Sequence, residues 1–186
     1  MNQPVKFQFN PLKSAQAAAY FLKLHDGSMS KYILLKMLYL SDREALKRWN
    51  VPITGDEPHS MELGPVPSRI YDLTKNGVRF AEIWNPIITT ESKKSLSLKS
   101  DPGRDELSDE EVELIEEIYQ EFKGYDFEKM KAFCHKLPEY DDTVGKGSRP
   151  IKFETLLNSI GKTAEQIKYI ADSEREMRLL KNAFGA

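Results

Sequence analysis

The amino-acid sequence predicts a mainly helical α+β fold, a compact multi-helix domain with a small β-hairpin or antiparallel element. Hydrophobic residues make up 40% of the 186 residues, which is enough to fill a core. The longest apolar run, residues 32–40, is broken once by a lysine and predicts a buried central helix. Residues 87–100 place β-branched and alternating side chains around a polar centre, a pattern typical of a hairpin.

The chain begins with a predicted extended segment and a first helix. Residues 5–9 alternate apolar and polar side chains, which predicts a short strand-like or extended segment. Asn10-Pro11 then predicts a helix start, because asparagine caps well and the missing N–H of proline costs nothing at the first helical position. This helix should reach about His25.

The central helix is expected over about residues 30–49, with Ser28 or Ser30 as its cap. Residues 51–66 contain too many prolines for a helix and predict an irregular or hairpin-like connection. A third helix is predicted from Pro67 to Asn76. Its stiff, proline-containing approach presents the first N–H groups together, which fits either an anion site or simply a well-specified helix start.

Two capping boxes mark helices in the second half of the chain, Ser108 with Glu111 and Thr163 with Gln166. The predicted elements are a short helix or strand at 80–84, the hairpin, helices at about 108–123, 126–137, 151–160 and 164–183, and a loop at 138–150. We expect residues 1–145 to form one domain and residues 146–186 a helical extension packed on it or projecting from it.

Composition narrows the function classes. The net charge of −2 and a pI near 6.0 offer no basic excess, so a nucleic-acid partner is not expected. Cys134 is the only cysteine, which excludes an internal disulfide and suits a reducing cytoplasm. No signal peptide, membrane span, cofactor motif or catalytic motif is evident, so we predict a cytoplasmic protein that is not an enzyme and has no cofactor.

The single thiol and the carboxylates of the central stretch have structural interpretations. Cys134 falls in an apolar helix, where a buried, inert thiol is expected rather than a nucleophile or metal ligand. Asp42, Asp56 and Asp72 could converge, but acid–base catalysis needs two carboxylates around one substrate. We interpret them as a helix-surface residue, a turn residue and an arginine partner.

Eight residues are predicted to contact a partner, because aromatic and arginine side chains dominate interfaces and charge complementarity sets specificity. On the central helix, Lys36 and Arg43 lie on one side with Tyr39 beside them. Lys36 could instead extend its charged end to solvent from the edge of the core. The other candidates are at the start of the third helix, Ser68 and Arg69, and at the charged end of the last helix, Glu174, Arg175 and Arg178. Ordinary fold stabilisation remains the alternative for all eight.

Several separated motifs follow one another along the chain: Lys36–Arg43 (KMLYLSDR), Pro52–Asp56 (PITGD), Met61 with Gly64–Ser68 (GPVPS), Tyr71-Asp72, Leu107–Glu110 (LSDE), and His135 with Leu137–Tyr140 (LPEY). In this order they resemble the Panacea domain, the family of SocA-like antitoxins of bacteria and phages, prophages included. Together they extend over roughly residues 14–142. Two positions depart from the family pattern. Leu63 stands where the family commonly has tyrosine or histidine, and Tyr140 stands where tryptophan is frequent.

The resemblance implies a mostly helical domain without known catalysis that binds and neutralises a protein toxin encoded beside it. It also implies an alternative, an adaptor that delivers the toxin to a AAA+ protease. A DNA-binding regulator is a further alternative, which the acidic charge balance disfavours. The motif positions expected to build the domain platform are Asp42, Gly55, Asp56, Gly64, Pro65, Pro67, Tyr71, Asp72 and His135.

Overall fold

The computed structural model describes residues 4–75, 79–142 and 147–184, and within them the fold is α+β, as predicted. The helices are α1 (Pro11–Leu24), α2 (Lys31–Trp49), α3 (Ser68–Leu73), α4 (Ala81–Trp84), α5 (Asp109–Phe122), α6 (Phe127–Cys134), α7 (Phe153–Ser159) and α8 (Ala164–Phe184). The strands are β1 (Ser28–Ser30), β2 (Pro58–Met61), β3 (Gly64–Pro67), β4 (Ile88–Thr90), β5 (Ser95–Leu98) and β6 (Arg149–Pro150).

The strands form two small antiparallel sheets, in the orders β1-β5-β4 and β3-β2-β6. The predicted hairpin is confirmed as β4 and β5, with Thr89 opposite Ser97. The connection between α2 and α3 is a second hairpin, β2 and β3. The predicted loop is wrong at its end, because Arg149-Pro150 pairs with β2. A strand of two residues is too short to show an alternating pattern, and its partner strand β2 lies about 90 positions earlier in the chain. The sequence therefore contains no local signal for β6. Residues 143–146 of that loop lie outside the described residues.

Local helix signals are largely confirmed. The side chain of Asn10 accepts a hydrogen bond from the Lys13 N–H, and Ser30 caps α2 while also ending β1. Both capping boxes form, at the starts of α5 and α8. Residues 80–84 contain the short helix α4 rather than a strand.

Two boundaries differ from the prediction. Residues 5–9 are extended but pair in no sheet, and side chains hold them instead: Val5 donates its N–H to Glu154, and the ring of Phe7 packs edge-on against Phe153. Helix α3 begins at Ser68 because Pro67 is still a strand residue. Its predicted end falls in residues 76–78, outside the described residues.

The central helix α2 organises the core, with twelve of its nineteen residues buried. It packs against α1, α5, α6 and β3, and it also contacts α7. A second cluster joins the end of α2, the N-terminal segment, α7 and the first half of α8. Its buried members are Val5, Leu46, Ile151, Phe153, Leu156, Leu157 and Ile170. The predicted extension therefore shares this cluster with the first residues of the chain, and beyond Ile170 the side chains of α8 are open to solvent or half-buried.

None of the helices among the described residues combines the length and apolar character that crossing a membrane requires.

Candidate partner-binding site

Two aspartates of the predicted motifs fasten the loop after α2. Asp42 accepts hydrogen bonds from the N–H of Thr54, at 2.8 Å, and from the Thr54 hydroxyl. Asp56 accepts from the backbone N–H groups of Glu57, Arg69 and Ile70 at 2.7, 3.2 and 2.9 Å. Burial raises the pKa of Asp42 to about 7 and that of Asp56 to about 6. The carboxyl group of Asp56 thus occupies the N–H groups of Arg69 and Ile70 at the start of α3, so the alternative of an external anion site there is wrong.

A second buried network connects α2 to the segment before α7. The side chain of Glu139 is fully buried and accepts hydrogen bonds from Tyr39 Oη (2.7 Å), Arg43 Nε (2.7 Å) and Ser159 Oγ (2.8 Å). Burial alone would raise the pKa of Glu139, but the hydrogen bonds from Arg43 and Tyr39 outweigh it and hold the pKa below its usual value. These four side chains are therefore committed to one another.

Lys36 is the most unusual of the motif residues. It is only 1% exposed, and its ammonium group donates to the Pro65 carbonyl at 2.7 Å and lies 5.0 Å from the ring centre of Tyr32. No carboxylate forms an ion pair with it among the residues the structure describes. Burial lowers its pKa to about 7. The interpretation of Lys36 as a side chain reaching solvent is therefore wrong.

The prediction that Lys36 and Tyr39 face a partner needs the same correction, because Tyr39 is only 2% exposed. Seven-residue spacing correctly places Lys36 and Arg43 on one side of the helix, but that side is covered by β3 and by Glu139. Arg43 is mostly buried, with 18% of its side chain exposed. Spacing defines a direction around a helix and not the depth at which that side lies.

The remaining platform residues shape turns and packing. Gly55 and Gly64 have positive φ angles, and Pro65 and Pro67 lie in β3. Tyr71 is half-buried and Asp72 is exposed, whereas Asp42 and Asp56 are buried. The ring of His135 stacks on Tyr140 at 4.6 Å, and its Nε2 is buried without a hydrogen-bond partner among the described residues.

The structure brings two of the predicted contact residues together from opposite ends of the chain. Arg69 of α3 and Arg178 of α8 line one cleft of about 590 Å³, the basic cleft, whose other basic residues are Lys6, Arg79 and Lys181. Hydrogen bonds from Arg178 to the Lys6 carbonyl and from Lys181 to the Gln8 side chain attach α8 to the N-terminal segment. Arg69 also pairs with Glu57 at 3.2 Å.

The other three candidates lie outside this cleft. Ser68 is half-buried beside Arg69, Glu174 is half-buried on α8, and Arg175 is exposed. Burial raises the pKa of Glu174, against the opposing effect of Arg178 and Lys181. The sequence therefore identified two members of the basic cleft, but not the contribution of the N-terminal segment, which depends on the tertiary fold.

An apolar groove with a basic rim, the central groove, lies above the first turns of α2. It encloses about 710 Å³, and sequence reasoning did not identify it. Its lining residues are Ser30, Lys31, Tyr32, Leu35, Lys36, Met61, Glu62, Leu63, Gly64, Val66, Tyr71, Lys93, Lys94 and Phe127. The lysine pair of the β4–β5 turn is the only local signal that could have indicated it.

Helix α8 carries a third open surface, the α8 stripe, formed by Tyr169, Met177, Leu180 and Phe184. These side chains are 70%, 52%, 46% and 80% exposed. At 100° per residue they lie within about 80° of one another around the helix. Sequence reasoning emphasised the charges of this region, although the 177, 180, 184 spacing was a usable signal for an apolar face.

No group of three or more His, Cys, Asp or Glu side chains suited to a metal ion occurs in the described part of the chain. Burial raises the pKa of Cys134 to about 11, so its thiol is protonated at neutral pH. The carboxylates of Asp42, Asp56 and Glu139 are engaged in the hydrogen bonds described above.

The buried lysine permits a first prediction, on pH dependence. Because the folded pKa of Lys36 is about 7 and the unfolded value is about 10.5, the unfolded chain binds more protons between these values. The contribution of neutral Lys36 to the free energy of unfolding is therefore fully present above pH 10.5 and is lost as the pH falls through 7. Urea unfolding of the wild type should therefore show a free energy of unfolding that rises from pH 7 to pH 9, by up to about 1.4 kcal/mol per unit.

Lys36→Met should remove most of that rise. The raised pKa of Cys134 opposes the rise in stability only above pH 9, where the unfolded thiol loses its proton. The buried aspartates titrate at or below about pH 7. The slope between pH 7 and pH 9 therefore reports mainly on Lys36. An equal slope in the wild type and in Lys36→Met would show that the ammonium group is not desolvated as described.

The fold and its surfaces define a small α+β domain whose motif side chains are mostly internal and whose open surfaces surround that interior. The comparison with family models then gives the family. The model described as antitoxin SocA-like, Panacea domain, matches residues 34–140, more than half of the chain. The chain belongs to this antitoxin family, as its motifs indicated. Searches of curated proteins and of solved structures gave no match.

Proposed function

We propose that this protein is a cytoplasmic antitoxin that neutralises a toxin protein, encoded beside it, by binding that toxin directly through the α8 stripe. The observation that carries the proposal is the concentration of exposed apolar side chains on one helix. Of the nine large apolar side chains exposed in the described residues, four form the α8 stripe. Contiguous apolar surface of this kind is typical of protein–protein contacts.

The stripe belongs to a helix that is already fixed on the domain. Ile170 is buried in the second cluster, and Arg178 and Lys181 attach the next turns to the N-terminal segment. At 100° per residue, Arg178 and Lys181 point to a different side of α8 from the stripe, so attachment of that side leaves the stripe open. A surface ordered in advance loses less conformational entropy on binding.

The position of α8 in the chain favours a role in partner choice. It lies outside residues 34–140, the region that matches the family model, whereas the motif residues inside that region mainly hold the fold together. This division supports a shared platform with a chain-specific contact surface. It also supports a binding protein rather than an enzyme, because the buried motif carboxylates Asp42, Asp56 and Glu139 serve in structural hydrogen bonds.

We expect Met177→Asp/Leu180→Asp to abolish neutralisation and to weaken the complex at least 100-fold, because two desolvated apolar contacts become buried charges. The measurement is growth of cells that co-express each variant with the product of the adjacent gene, followed by the dissociation constant of the purified pair. Both side chains are exposed, so the fold should survive, which circular dichroism checks.

Leu179→Asp is the matched control. Leu179 is 58% exposed on the same helix but lies about 100° from Leu180, outside the stripe. Equal loss of neutralisation in the control and the double variant, or none in either, would contradict the role of the stripe.

Rescue in which the toxin disappears, and reappears when a AAA+ protease is deleted, would favour the adaptor mechanism. A salt-dependent shift of promoter DNA would favour the regulator.

A further inference from the structure

The central groove is not used by the contact proposed for α8, and its chemistry points to a particular occupant. We propose that it holds a segment of the toxin in which an apolar side chain is flanked by carboxylates. This inference rests on the proposed function, and it adds a second contact with a stated chemical class.

The size and lining of the groove suit an inserted side chain. Its volume of about 710 Å³ is within the range of ligand sites, which are mostly apolar with a few placed polar groups. Leu35 and Val66 are buried in its walls, while Leu63 and Phe127 are 39% and 40% exposed at its rim. Apolar side chains left open at a rim gain the most when a partner covers them.

The walls are held by contacts across different elements. Tyr32 donates its hydroxyl hydrogen to the Leu63 carbonyl at 2.9 Å, and its ring packs against Phe127 at 4.6 Å. The backbone N–H of Lys31 donates to the Lys94 carbonyl at 2.9 Å, which fastens the β4–β5 turn beside the start of α2. The groove is therefore an ordered feature of the fold and does not have to form on binding.

The charges select an acidic partner. Three lysines, Lys31, Lys93 and Lys94, line the groove and supply its positive charge. Among the lining residues that the structure describes, Glu62 is the only carboxylate. The groove begins at the N-terminus of a 19-residue helix, whose dipole adds positive potential there. A carboxylate at the opening would meet attraction from each of these sources.

The combination also disfavours other occupants. A nucleic acid would use the lysines, but its backbone phosphates would gain nothing from the apolar walls. A purely apolar segment would fill the walls and leave the lysine rim partly desolvated without counter-charge. An acidic, amphipathic protein segment satisfies both parts of the groove.

The decisive experiment reverses charge at the rim. We expect Lys93→Glu/Lys94→Glu to weaken binding of the adjacent gene product at least 10-fold and to reduce the salt dependence of the dissociation constant. Both side chains are exposed in a turn, so the fold should be unaffected. Leu63→Ser should weaken binding at the apolar part of the rim without changing the salt dependence.

The control is Lys123→Glu/Lys152→Glu, which makes the same change in net charge at exposed positions outside the groove. Binding by the rim variant equal to binding by this control would overturn the inference while leaving the α8 contact intact. Hydrogen exchange offers an independent readout, with protection expected at 61–64 and 91–95 when the toxin is added. Absence of that protection would also overturn it. Failure of the wild-type pair to form any complex would overturn both proposals.

Discussion

Glu139→Ala should lower the free energy of unfolding by about 3–5 kcal/mol, which for a chain of this size corresponds to a fall in melting temperature of roughly 6–20 °C. The side chain of Glu139 is fully buried. Its removal leaves the Arg43 guanidinium without its charge partner, and it leaves the buried Tyr39 hydroxyl without an acceptor. The pair itself contributes less than this, because most of the loss comes from leaving a charge buried alone.

The matched control for this change is Asp141→Ala, two residues away. Asp141 also accepts from an arginine, Arg149, but the two side chains are 64% and 50% exposed. Surface pairs of this kind contribute at most about 1 kcal/mol. Urea unfolding of both variants measures the contrast. A loss below 1 kcal/mol in Glu139→Ala would show that the network is not needed for stability.

The hydrogen bonds around Glu139 also explain why the motif residues Tyr39 and Arg43 are needed for the fold rather than for direct contact with a partner. Tyr39 and Arg43 belong to α2, and Ser159 ends α7, so one carboxylate connects the central helix with the C-terminal part of the chain. Sequence reasoning placed Tyr39 and Arg43 among the partner contacts. It noted Glu139 only as part of a matching motif, because the contact joins residues about 100 positions apart.

The sequence predicts a structural feature well when the residues that form it lie close together in the chain. The caps at Asn10, Ser30 and Ser108 depend on residues three positions away, and all three form. The β4–β5 hairpin is equally local. By contrast, β6 forms by pairing Pro150 with His59, and no short window contains both residues.

The surfaces follow the same rule. The central groove combines residues from five places in the chain, around 31, 63, 71, 94 and 127, and its existence depends on the tertiary fold. The burial of Lys36 has the same origin, because Pro65 covers it from another element. The α8 stripe is different, since its helical spacing is written in the sequence and was overlooked beside a dense run of charges.

Gly55→Ala should be comparably damaging, for reasons that lie in the backbone. Gly55 has a φ of +68°, a conformation that costs other residues roughly 1 kcal/mol or more. An added Cβ would also lie 2.2 Å from the carbonyl oxygen of Gln8 and 2.8 Å from its carbonyl carbon. Both are backbone atoms, so the N-terminal segment must move away. That segment contributes Val5 to the second cluster and donates the Asn10 N–H to the Thr54 carbonyl.

Gly27→Ala separates the two causes. Gly27 also has a positive φ, +86°, but an added Cβ there would have nothing within 4 Å. We therefore expect about 1 kcal/mol of destabilisation in Gly27→Ala and at least 3 kcal/mol in Gly55→Ala, measured by urea unfolding. Because the added Cβ would displace the backbone of Gln8, Gly55→Ala should also increase hydrogen exchange over residues 5–10. Equal losses in the two alanine variants would mean that the loop and the N-terminal segment are not in close contact in solution, and that only the backbone angle restricts Gly55.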